Sequence, residues 1–120
     1  MKKVIFRRSR LMVFSLLLIP LFSITNSCSK TSDVPGTNEV FIQGFAFNPS
    51  TITVSVNTTI TWTNKDGTAH TVTSDTGSPE TFNSPSINTN GTYPHTFTTA
   101  GTFNYHCSIH PTMLAKVIVQ

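Results

Sequence analysis

Beyond position 10 this chain has no arginine, and beyond Cys28 it keeps only three lysines (Lys30, Lys65, Lys116) against five acids (Asp33, Glu39, Asp66, Asp75, Glu80). The formal charge of +3 over 120 residues is therefore a property of the first ten positions, which hold Lys2, Lys3, Arg7, Arg8 and Arg10. The rest is slightly acidic and has no basic patch, so nucleic acid is excluded as a partner. Cysteine is scarce: Cys28 and Cys107 are the two present. After Cys28 no stretch keeps helical periodicity over three turns, and there are neither paired carboxylates nor a glycine-rich phosphate loop. A helix N-terminus that could build an oxyanion site beside a cysteine–histidine nucleophile is missing as well, which leaves that enzyme alternative without its parts.

The N-terminus carries an address. A basic start is followed by an apolar run from Leu11 to Ile24, broken by Ser15, Pro20 and Ser23, and then by small residues near Ser27. This order predicts a secretory signal peptide over residues 1–27. The run is too short to cross a bilayer comfortably, which argues against a permanent anchor helix. Arg7-Arg8 is followed by residues that match a twin-arginine signal poorly. Cys28, between Ser27 and Ser29-Lys30, resembles a bacterial lipoprotein processing site, with Thr25 where such sites usually carry leucine. Cys28 is thus the expected lipidation residue, and a lipid anchor there the one membrane attachment expected. The expected location is the periplasm or cell envelope of a bacterium. Residues 28–38 are rich in Ser, Thr, Asp, Pro and Gly and read as a flexible tether. With Cys28 lipidated, Cys107 has no disulfide partner, and an unpaired thiol in an oxidising compartment is a liability unless a metal occupies it.

From Glu39 to Gln120 the pattern is that of short strands. Val40 and Ile42, Phe45 and Phe47, then Ile52, Val54 and Val56 recur with period two. Asn57 suits a tight hairpin turn, with Ile60 and Trp62 on the return strand. Asn64-Lys65-Asp66-Gly67 and Asn90-Gly91 mark further turns. His70 and Val72 share a face of a short strand. Ser74 to Asn90 wanders, with Phe82 and Ile87 expected to tuck inward. Tyr93 and Phe97, then Phe103, Tyr105 and Cys107, then Val117 and Val119 supply the remaining inward positions. The fold class predicted is all-β, a sandwich or barrel of many short strands over residues 39–120.

One constellation carries chemistry. Cys107, His110 and Met113 stand at i, i+3 and i+6 where an aromatic strand ends, and His70 lies far upstream. Thiolate, imidazole and thioether are the donors that suit copper as it alternates between Cu(I) and Cu(II), and two His with one Cys and a weak axial Met make a blue-copper electron-transfer site. Strand parity turns His106 away from Cys107, toward the surface or a structural hydrogen bond. His95 has no ligand-like spacing and reads as a bystander. Zinc, the obvious competitor, is poorly served by a thioether.

These residues resemble the cupredoxins, and among them the plastocyanin and amicyanin branch. The resemblance spans Glu39 to Gln120. It rests on Phe45-Ala46-Phe47-Asn48-Pro49, Ile60-Thr61-Trp62-Thr63-Asn64, His70-Thr71-Val72, and the run from Gly101 through Tyr105-His106-Cys107-Ser108-Ile109-His110-Pro111-Thr112 to Met113. It implies an eight-stranded Greek-key β-sandwich, one type 1 copper ion held by His70, Cys107, His110 and Met113, and a monomeric one-electron carrier. Redox partners would dock on an apolar rim around His110 formed by Pro111, Leu114 and Phe47. Two positions depart from the pattern. Thr71 replaces an asparagine that ties the two loops together, so a changed hydrogen-bond set is expected there. Ala115 replaces a glycine after the methionine. A copper storage or delivery module is the alternative, but it would favour more methionine than Met113 alone. A copper enzyme would need a second ligand cluster.

Overall fold

The computed structural model describes residues 34–120; the expected signal segment 1–27, Cys28 and the start of the tether lie outside them. Eight strands follow in order: β1 (Glu39–Ile42), β2 (Phe47–Asn48), β3 (Thr51–Val54), β4 (Thr58–Asn64), β5 (Thr73–Ser74), β6 (Thr92–Phe97), β7 (Gly101–His106) and β8 (Leu114–Val119). They form two four-stranded sheets, ordered β2-β1-β4-β6 and β3-β8-β7-β5. The described residues contain no helix. The architecture is the all-β sandwich expected from the period-two pattern.

The pleat explains the core. Ile60 and Trp62 of β4, Phe103 and Tyr105 of β7, and Val117 and Val119 of β8 point inward and are buried, while their neighbours Thr59, Thr102 and Asn104 face solvent. Trp62 stands at the centre. Its ring packs against Phe82, Tyr93, Phe97 and Tyr105, and its Nε1–H donates to the Tyr105 hydroxyl at 3.1 Å. Burial pushes the Tyr105 phenol well above its usual value, against the smaller opposing effect of the Trp62 bond. The segment between β5 and β6 lacks strands of its own yet buries Phe82 and Ile87 as expected. It is held by backbone bonds from Ser84 to Val72 and between Ile87 and His70.

Two expectations need correction. Asn57 does adopt left-handed backbone (φ 65°), but no hairpin forms there. Strand β3 pairs in parallel with β8, and β4 pairs with β1 and β6. Asn57 therefore carries the chain across from one sheet to the other, with its N–H donating to Phe97 O at 2.7 Å and the Val56 N–H to Gln120 O at 3.2 Å. Nor do Phe45 and Phe47 share a face. Gly44 (φ 64°) and Phe45 (φ 58°) are both left-handed, which reverses the chain between β1 and β2 and breaks the parity. Phe47 is buried against Tyr105, whereas Phe45 is 54% exposed.

Candidate metal centre

Three loops at one end of the sandwich converge. The first runs from the end of β4 to β5 and is organised by Asn64, which is wholly buried. Asn64 Nδ2 donates to Thr68 O and Ile87 O, each at 2.8 Å, and its Oδ1 accepts the Asp66 N–H at 2.9 Å. The turn signal at residues 64–67 is thereby converted into a rigid scaffold, and the bridge between His70 and Ile87 fixes the end of the loop. His70 is completely buried.

The second loop joins β7 to β8. Cys107 N–H donates to Met113 O at 3.1 Å, and Met113 N–H to His110 O at 2.9 Å. These two bonds curl the residues from 107 to 113 into a tight arc, with Pro111 fixing the backbone just after His110. Cys107 is buried, as is Met113 at the far end of the arc. Ser108 N–H donates to Thr71 Oγ1 at 2.7 Å and joins this loop to the first. The threonine thus makes the cross-loop bond, as expected.

The structure brings His70, Cys107 and His110 together. Cys107 Sγ lies 3.8 Å from His70 Nδ1 and 3.7 Å from His110 Nδ1, and the two nitrogens are 3.2 Å apart. A point equidistant from all three atoms lies about 2 Å from each, in the range of metal–nitrogen bonds and slightly short of metal–sulfur ones. His70 Nε2 is 3.0 Å from Asp66 Oδ2, which assigns the proton of the neutral ring to Nε2 and leaves a lone pair on Nδ1. The sulfur is turned toward the same point and receives the Thr71 N–H at 3.3 Å. Two imidazole nitrogens and one sulfur, with a buried methionine on the same loop, suit copper on donor chemistry alone.

The other two histidines stand apart. His106 Nδ1 pairs with Asp75 Oδ1 at 2.6 Å, and His95 Nε2 with Glu80 Oε1 at 3.4 Å. His106 is thus in the structural hydrogen bond expected of it.

The rim expected around His110 is altered at one position. Phe47, buried in the core, is not part of it. Phe45 takes that place, with its ring edge-on to His70 and His110 at centroid distances of 5.4 and 5.1 Å. Ile109 and Leu114 are also exposed, at 48% and 64%. Alternation puts Phe45 and Phe47 on one face and does not say which of them reaches the rim; the left-handed backbone at Gly44 and Phe45 decides it. Asp66 was overlooked because its turn context explained it. The signal that could have found Asp66 is its place four residues before a buried histidine.

Asp66 ties the third loop, which joins β1 to β2 through Gly44 and Phe45, to the first. Its Oδ1 accepts the Gly44 N–H at 2.6 Å, and its Oδ2 accepts the Phe45 N–H at 2.9 Å as well as facing His70 Nε2. Burial alone would raise the Asp66 carboxyl, but the Phe45 and Gly44 amides and His70 together outweigh it and hold it below its usual value.

A β-sandwich that gathers two imidazoles and a thiol at one point is a copper protein of cupredoxin type, and comparison with known proteins agrees. The model of copper-binding proteins of the plastocyanin/azurin family matches residues 35–120. Amicyanin-alpha of Methylorubrum extorquens is 32% identical over 87 residues, covering 71% of this chain and 73% of that protein. Halocyanin of Natronomonas pharaonis is 37% identical over 99 residues, covering 74% of this chain and 61% of the relative. Among solved structures, the oxidized state of an amicyanin point mutant superposes with a TM-score of 0.64 at 33% identity, over 68% of this chain and 80% of the other. A purple cupredoxin from Nitrosopumilus maritimus gives 0.62 at 30% identity, over 68% of this chain and 98% of the other. A copper-containing nitrite reductase from Thermus scotoductus also matches, but this chain covers 22% of it. The chain belongs to the plastocyanin/azurin family of copper-binding proteins, and its cofactor is copper. That family generally carries electrons through a copper site.

Proposed function

We propose that this protein is an exported one-electron carrier in which His70, Cys107 and His110 would hold copper, with the Met113 thioether as a fourth, weaker donor. The observation that carries the reading is the common point faced by two Nδ1 atoms and one Sγ. Bound there, copper supplies a one-electron couple. The chain supplies the rest. The hydrogen bonds of Asn64, Asp66 and Thr71 set the two loops before any metal arrives, so little rearrangement need accompany a change of oxidation state. Burial of Cys107 and Met113 keeps water from the sulfur atoms. His110 is partly exposed, and its ring lies beneath Phe45. Phe45, Ile109, Pro111 and Leu114 form the apolar rim on which a redox protein partner docks briefly. The acting species is a monomer. Residues 1–27 direct export to a bacterial periplasm or cell envelope, and Cys28, lipidated, holds the folded unit at the membrane through the tether 28–38. A carrier is favoured over a copper enzyme because the nitrite reductase match involves 22% of that chain.

Titration of the purified protein with Cu(II) tests this. An intense thiolate-to-copper absorption and a narrow copper hyperfine splitting in EPR are expected at one equivalent, and Cys107→Ser should abolish the colour. Protein that stays colourless with cupric ion, or colour that survives Cys107→Ser, ends the reading.

A further inference from the structure

We propose that Asp66 is a positioning residue for the copper site: its carboxylate holds His70 as the Nε2–H tautomer and fastens the Gly44–Phe45 turn above both imidazoles. This rests on the reading of His70 as a copper ligand. A ring that offers Nδ1 to a metal must carry its proton on Nε2, and a buried N–H needs an acceptor. His70 is fully buried, and Asp66 Oδ2 at 3.0 Å is the acceptor its Nε2 meets. The same carboxylate receives the Gly44 and Phe45 amides at 2.6 and 2.9 Å. Those two residues hold left-handed backbone, φ 64° and 58°. Left-handed backbone is unfavourable for phenylalanine, so something must secure it. The two amide bonds to Asp66 do so. The Phe45 ring then lies edge-on to His70 and His110.

Three donors therefore converge on one charged group that is itself mostly covered, with a side chain 12% exposed. Orientation of one imidazole and placement of the ring that shields both are coupled through a single side chain. A neutral replacement cannot reproduce this. The asparagine of Asp66→Asn has one acceptor oxygen for three donors, and its own N–H groups would face N–H groups. Removing the negative charge also removes an influence that favours Cu(II) over Cu(I), so the protein should become easier to reduce.

The test begins with the copper-free protein. Long-range proton–nitrogen NMR near pH 8, above the usual imidazole range of about 6.5, should show the Nε2–H tautomer for His70 in the wild type. Asp66→Asn should give mixed tautomers and faster exchange of the Gly44 and Phe45 amides. On loading, Asp66→Asn should bind copper about 10–100-fold more weakly and have a higher reduction potential, and Asp66→Glu should recover part of both. A His70 proton on Nδ1 in the wild type overturns the proposal without recourse to any variant. So does an Asp66→Asn protein whose tautomer, amide exchange and potential match the wild type. If the wild type fails to turn blue, the copper reading falls, while the metal-free tautomer still decides whether Asp66 orients His70.

Discussion

The backbone amide of Thr71 points at the sulfur of Cys107, 3.3 Å away, and the hydroxyl of the same threonine lies 3.8 Å from that sulfur. Thr71 Oγ1 already accepts the Ser108 N–H, so its own proton is free to turn toward Sγ. One residue therefore offers the sulfur two donors. A sulfur that receives hydrogen bonds gives less charge to copper, which favours the reduced state. Thr71→Val should lower the reduction potential, and Thr71→Ser should leave it nearly unchanged. A hydrogen bond of about 1 kcal/mol corresponds to roughly 40 mV for one electron. Protein-film voltammetry of the two variants reads the difference.

Met113, as the proposed fourth donor, would bear on the potential from the other side. A thioether is a soft donor that favours Cu(I), and an amide oxygen is harder. Met113→Gln should keep copper bound and lower the potential. An unchanged potential and spectrum would remove Met113 from the donor set.

Phe45 packs against both imidazoles. Its ring is half exposed, so Phe45→Ala should cost little stability, yet it uncovers edges of His70 and His110. Copper removal by an added chelator should become several-fold faster, followed as loss of the blue absorption. Equal rates in the two proteins would mean that Phe45 does not gate the site.

Tyr105 links the site to the core. It lies two residues before Cys107 and holds the Trp62 indole N–H. Tyr105→Phe should leave that buried donor without a partner and lower unfolding stability by about 1–3 kcal/mol. Urea denaturation of the metal-free proteins would measure it. A variant as stable as the wild type would mean that the indole finds another acceptor.

Much of this was legible in the chain itself. Trp62, Phe103, Tyr105 and Val117 declare their faces by alternation, because a pleated strand allows two orientations and burial selects one. The Cys107–His110 spacing is visible because the arc is local, closed by bonds between residues 107, 110 and 113. His70 was legible through the resemblance carried by His70-Thr71-Val72, but not as part of a strand with Val72: it lies in the loop before β5, fixed by an isolated bridge to Ile87. What escaped depends on backbone handedness or on distant pairing. Left-handed Gly44 and Phe45 cannot be inferred from hydrophobic period, so Phe45 was expected to resemble Phe47. Asn57 looks the same locally whether it closes a hairpin or carries the chain between sheets. The choice is made by β8, whose Lys116–Val119 pair with Thr51–Val54. Asp66 has a sufficient local explanation in its turn, which hid its longer reach to Gly44 and Phe45.

That parallel pairing of β3 with β8 has a temporal side. A strand near the start of the described chain finds its neighbour only in the last one, and such distant closures are slow compared with local ones. The arc that presents Cys107 and His110 is closed by its own bonds, but its two ends are held side by side only where β7 pairs with β8, and β8 in turn with β3. An unfolded chain offers His70 as a side chain remote from Cys107 and His110, so the three donor atoms share one point only in the folded sandwich.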